Sequence, residues 1–139
     1  MVQITARRNI DAYTQVNKYS GVTDASPHRL VQMLLEGALE KIARVSGMLK
    51  RGDTTKKGET IGQVIAIIGG LRSSLNKEAG GDMAENLDRL YDYMERQLLQ
   101  ANIHSDVSIL DEVSSLLREI KAGWDAIPVE IRNMGIKNK

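Results

Sequence analysis

From residue 26 to residue 127, apolar side chains recur every three or four positions. That is the 3.6-residue period of an α-helix, not the alternation of a strand. Four helical segments follow from it. The first begins at Ser26-Pro27, a hydroxyl N-cap followed by a proline whose missing N–H costs nothing at the first helical position. It runs to about Lys50 and stops in Arg51-Gly52-Asp53. The second spans roughly Thr55 to Leu75, with Ile61, Val64, Ile65, Ile68, Leu71 and Leu75 toward one side, and breaks in the stretch Asn76 to Gly81. The third is predicted to open at Asp82, with Glu85 three positions later as a capping-box partner. Its stripe is Met83, Leu87, Leu90, Tyr91, Met94, Leu98 and Ala101. The fourth takes Asp106 as its cap, carries Leu110, Val113, Leu117, Ile120, Trp124 and Ile127, and ends at Pro128.

Each segment is about 20 residues, or roughly 30 Å, long. Short links between them make successive helices antiparallel neighbours. The expected fold class is all-α, an antiparallel up-down four-helix bundle with a short N-terminal helical cap segment. One domain covers 1–139: the cap segment at 1–25, the bundle at 26–127 and a C-terminal tail at 128–139. Gly80-Gly81 reads as an interhelical turn. Gly69-Gly70 falls inside the second helix, where each glycine costs about 1 kcal/mol relative to alanine; close approach of a neighbouring helix is the expected reason.

The first helix has too wide an apolar arc. At about 100° per residue, Met33, Leu34, Gly37, Ala38, Val45 and Met48 share a face with Leu30. Val31, Leu35, Leu39 and Ile42 extend it over more than half of the circumference, whereas a bundle helix needs a stripe somewhat over 100° wide. Either this helix is packed on two sides, or it presents an apolar groove to an amphipathic helix of a partner. Val31, Leu35 and Leu39 are the candidate contacts of such a groove. Upstream, Ile10 and Tyr13 are three positions apart and share a face on a helical turn. So short a segment must dock on something, as a fixed part of the core or as a removable plug over the groove. Tyr93 lies off the third stripe, beside Asn86 and Gln97, as a rim contact or a half-exposed residue closing the bundle. Tyr91 and Trp124 lie on core stripes and read as packing residues.

Composition narrows the chemistry. The 139 residues include no cysteine, which removes thiolate nucleophiles, Cys-based zinc sites and disulfides, and fits a reducing cytosol. A di-iron bundle needs Glu-x-x-His pairs, and none of the nine glutamates has a histidine at that spacing. His28 and His104 are the only histidines, both near predicted helix starts, and are expected to be exposed. Ser73-Ser74 and Ser114-Ser115 have no histidine at helical spacing, and no glycine-rich phosphate loop is present. No enzyme activity, cofactor or metal is expected. The net charge of +1 argues against a general nucleic-acid binder. That total hides an uneven distribution. Residues 1–58 hold ten Lys/Arg against five Asp/Glu, and residues 59–127 hold six against twelve. The longest relevant uncharged run, Thr60 to Leu71, is too short for a membrane span of about 20 residues. No apolar stretch follows Arg7-Arg8, so no secretory signal is expected.

The ordered set of local patterns resembles the flagellar secretion chaperone FliS family. Tyr19 to Val22, Ala25-Ser26-Pro27, Leu30 to Leu34 and Gly37-Ala38 are similar to that family's first-helix signature. Leu71-Arg72-Ser73-Ser74-Leu75, Gly80-Gly81 and Ala84-Glu85-Asn86-Leu87 resemble its second loop, and Leu90-Tyr91-Asp92-Tyr93-Met94 with Leu98 and Ala101-Asn102 its third helix. Leu110, Glu112-Val113, Leu116-Leu117 and Trp124 resemble its fourth. Departures are Leu35-Glu36, where the family often has Tyr-Asp, Asn76 in place of Asp, and Gly69-Gly70. The resemblance implies a cytoplasmic four-helix bundle that binds the C-terminal segment of flagellin, keeps it unpolymerised and passes it to the flagellar export gate. The expected partners are flagellin, in a one-to-one complex with a monomer, and a component of the export gate, with no nucleic acid and no membrane insertion. The resemblance also implies that Ile10 and Tyr13 cap a hydrophobic pocket and rearrange when flagellin arrives. The competing expectations are a homodimeric assembly protein using the first helix, and an enzyme using His28 or His104.

Overall fold

The structure, a computed structural model, describes residues 25–128. Four helices account for nearly all of them: α1 (Pro27–Lys50), α2 (Lys57–Ser73), α3 (Lys77–His104) and α4 (Val107–Asp125). Each end has an identifiable cause. At the start of α1 the Ser26 hydroxyl accepts from Arg29 N–H at 3.1 Å, and Pro27 occupies the first turn. At its end Gly52 takes φ +73°, which lets Asp53 N–H reach back to the Met48 carbonyl at 2.9 Å. The Lys57 ammonium donates to the Asn102 carbonyl at 2.8 Å and the Ser105 hydroxyl at 2.5 Å. A cation therefore sits at the negative end of α3. Asp106 caps α4 by accepting from Ser108 N–H at 2.9 Å, as its sequence position predicts.

The start of α3 departs from expectation. Asp82 is not its cap. Asn76 is, accepting from Ala79 N–H at 3.1 Å, so that one helical turn forms before the predicted start. Gly81 then kinks the helix, with φ +53° and ψ −130°, a conformation outside the helical region. Gly81 thus separates a short opening turn from the main run of α3, which resumes at Asp82, where the sequence places the start of the third helix. An amide side chain well placed to cap, followed by a residue without a Cβ penalty, outweighs the capping-box pattern further on.

The helices form a closed square. α1 and α3 each pack against α2 and α4, and those four faces meet in one core. Leu35 and Ile42 of α1, Ile61, Ile68 and Leu71 of α2, Met94 and Leu98 of α3, and Leu110 and Leu117 of α4 are its largest buried side chains. This explains the wide arc of α1: it is packed on two sides. Leu35 is completely buried, Val31 nearly so, and the half-buried Leu39 packs against the core. The alternative of an exposed groove along the outside of α1 does not hold in this conformation. At Gly69 a Cβ would lie 3.4 Å from Oε2 of Glu95, the tip of a side chain of α3, and would meet no backbone of that helix within 4 Å.

Candidate partner-binding cleft

One end of the bundle gathers the start of α1, the end of α2, the start of α3 and the end of α4. There the apolar stripes are not fully covered by other described residues, and a cleft of about 490 Å³ opens. Val31 and Leu71 form its floor with Ala84 and Tyr91, all buried. Leu75, Leu87, Ile120, Trp124 and Ile127 form half-buried walls. Met83 stands at the lip, 70% exposed. Small residues keep the space open: Ala79 and Gly80 in the opening turn of α3, Ala84 beyond the kink, and Gly123 on α4. A Cβ at Gly123 would meet nothing within 4 Å. The Gly81 kink has a direct consequence, since Ala79 and Gly80 before it and Met83 and Leu87 after it line the same cleft.

The Trp124 wall is held from behind. Its indole stacks on the His28 ring, with centroids 4.8 Å apart and planes 12° from parallel. Nε1 of Trp124 donates to the His28 carbonyl at 2.9 Å. His28 is 3% exposed, which corrects the expectation of a solvent-facing histidine. Sequence spacing could not show this, because its stacking partner is 96 positions away. Around Trp124, Gln32 donates to Asp125 at 2.6 Å and Lys121 donates to the other carboxylate oxygen at 2.7 Å. The Lys121 hydrogen bond is the main reason the Asp125 carboxyl titrates below the usual range. These contacts tie α4 to α1.

On the α2–α3 face Arg72 bridges three carboxylates, Asp88 at 2.6 Å and Asp92 and Glu95 at 3.1 Å each. Its guanidinium, with a contribution from Lys77, holds the Asp88 carboxyl below the ordinary range, and Asp88 in turn raises the Arg72 pKa. Much of the acidity of α3 is therefore paired within the bundle. Tyr93, half-buried, donates to Glu112 at 2.8 Å, and that hydrogen bond is the first cause of its raised phenol pKa. It joins α3 to α4.

The cleft brings in one of the predicted contact residues, Val31. Leu35 lies in the core, and Leu39 and Tyr93 lie elsewhere on the bundle. Ile10 and Tyr13 lie outside the described residues. Met83, Leu87, Ile120 and Ile127 were legible only as parts of core stripes. The available signal was the cluster of small residues beside them, Ala79-Gly80-Gly81, Ala84 and Gly123. His104 faces Gln100 at 3.1 Å at the far end of the bundle from His28, so the two histidines do not share a site. Among the described residues no helix is long and apolar enough to cross a membrane.

Fold and cleft define the class of protein: a small all-α bundle with a mostly apolar cleft at one end. The profile of the family described as "Flagellar protein FliS" matches residues 9–130. The flagellar secretion chaperone FliSB of Pseudomonas aeruginosa is 50% identical over 122 residues, 88% of this chain and 97% of that protein. The flagellar secretion chaperones FliS of Vibrio cholerae and Salmonella typhimurium are 44% and 45% identical, over 92% and 85% of this chain and 94% and 88% of their own lengths. The chain belongs to the FliS family of flagellar secretion chaperones.

Proposed function

We propose that the protein binds the C-terminal segment of flagellin, keeps it from polymerising and delivers it to the flagellar type III export apparatus. It acts in the cytoplasm as a monomer that forms a one-to-one complex. The observation that carries this reading is the end cleft of a FliS-family bundle, whose lining is almost entirely apolar. A segment that folds as it binds must offset roughly 2–5 kcal/mol or more of ordering cost. Apolar contact with a preformed cleft, continued over the bundle surface, is a source of that free energy. The segment carrying Ile10 and Tyr13 competes for the same surface, so that the chaperone can release its cargo.

Calorimetric titration of the full chain with a flagellin C-terminal peptide tests the proposal. One-to-one binding with a large negative heat-capacity change is expected. Absence of detectable binding at high micromolar concentration would overturn it. Deletion of residues 1–18 is expected to change peptide affinity or dissociation rate; unchanged values would remove the role given to Ile10 and Tyr13. A homodimeric assembly protein would instead show a dimer by light scattering of the isolated chain.

A further inference from the structure

The mostly apolar lining of the cleft carries a single charge. Among the described residues that line it, Glu119 alone carries a charge. It is exposed, and its side chain makes no hydrogen bond or ion pair with any described residue. Two polar side chains beside it are engaged elsewhere. The Ser74 hydroxyl donates to the Leu71 carbonyl at 2.8 Å. Lys121 is held by Asp125 at 2.7 Å and faces Glu36 at 3.7 Å. Glu119 precedes the wall residue Ile120 and stands four positions before Gly123, so it shares a face of α4 with the open side of the cleft.

A carboxylate at the edge of an apolar pocket discriminates between occupants. An acidic group placed beside it meets like charge. A purely aliphatic occupant takes water from the carboxylate without replacing it. A cation replaces that water with an ion pair and adds orientation, because only one register sets apolar anchor and charge in their places together.

We infer that the cleft selects a cationic amphipathic helix, one that sets a Lys or Arg about one helical turn from a large apolar anchor, and that Glu119 is the specificity residue that reads the cation. The inference rests on the proposed function, since the helix is the part of the flagellin C-terminal segment that enters the cleft. Met83 supplies the adaptable counterpart at the lip, an unbranched side chain able to follow the shape of the anchor.

The test uses the full chain, its Glu119→Gln and Glu119→Lys variants, and a flagellin C-terminal peptide, with affinities measured at low salt and at 0.5 M NaCl, roughly a 4 Å Debye length. Glu119 is exposed and its substitution leaves the core intact; circular dichroism checks this. The expected loss at low salt is about threefold for Glu119→Gln and about tenfold for Glu119→Lys, the scale of a partly exposed ion pair and its reversal. Both losses should shrink in high salt. A peptide whose basic residue is replaced by Glu should regain affinity for Glu119→Lys relative to the original chain. If the chain binds the peptide and both variants bind it equally well, the inference fails while the proposed function stands. If the chain itself fails to bind, the proposed function fails and this inference falls with it.

Discussion

The Trp124 indole lies against the His28 imidazole at 4.8 Å, and its N–H is satisfied by the carbonyl of that same residue. One side chain of α4 is thereby locked to the first turn of α1, at the end of the bundle where the cleft opens. The same residue lines the cleft. Replacing Trp124 by Ala should cost about 3–4 kcal/mol, near the usual range for aromatic truncation. Trp124→Phe keeps an aromatic ring but loses the hydrogen bond, and should cost only about 1 kcal/mol from that bond. Urea unfolding followed by far-ultraviolet dichroism measures both. Equal costs would mean that the ring contributes nothing to stability.

Leu98 and Leu99 are adjacent in sequence and opposite in environment: the first is fully buried and the second is 52% exposed. Leu98→Ala should destabilise the bundle by about 2–5 kcal/mol through lost burial and the cavity left behind. Leu99→Ser should stay within about 0.5 kcal/mol. Chemical denaturation of the two variants checks the assigned register of α3, since a shift by one residue would exchange the effects.

Two glycines should respond oppositely to alanine. Gly81 has φ +53°, where a Cβ is strained although the space around it is open, so Gly81→Ala should cost about 1–2 kcal/mol. Gly62 lies within α2, and a Cβ there meets nothing within 4 Å. Gly62→Ala should stabilise by about 0.5–1 kcal/mol. Thermal unfolding of the pair reads the sign directly.

The Arg72 network predicts a pH dependence. The folded pKa of Asp88 is depressed, first by its hydrogen bond to Arg72. Its contribution to stability is therefore present above the unfolded pKa of about 3.9. It is lost as pH falls through that value and then through the lower folded value. The stability difference between the original chain and Asp88→Asn should be constant near neutrality and should narrow below about pH 4. A difference that widened on acidification would contradict the ion pair.

Gly123 tests the cleft itself. A leucine there fills open space on an exposed helical surface, where it also improves helix propensity. Gly123→Leu should retain or raise stability while weakening peptide binding roughly thirtyfold, equivalent to about 2 kcal/mol for a lost anchor contact. Titration calorimetry beside thermal unfolding separates the two effects.

The periodicity of the chain was sufficient for the four helices and their order, because burying a 3.6-residue stripe has few solutions once the links are short. Ser26-Pro27 and Asp106 marked two helix starts correctly for a local reason: a cap acts on backbone groups two or three residues away. The wide apolar arc of α1 was equally visible in sequence, but its meaning depended on how many neighbours α1 has. Only the closed square, with α2 on one side and α4 on the other, turned Leu35 from a candidate contact into core. The same holds at the cleft. Met83, Leu87, Ile120 and Trp124 continue stripes that are core elsewhere, and they become a surface only where four helix ends leave them uncovered and Gly81 redirects α3. Helix formation is a property of neighbours along the chain. Exposure is decided by residues tens of positions apart, such as His28 and Trp124, and that required the tertiary structure.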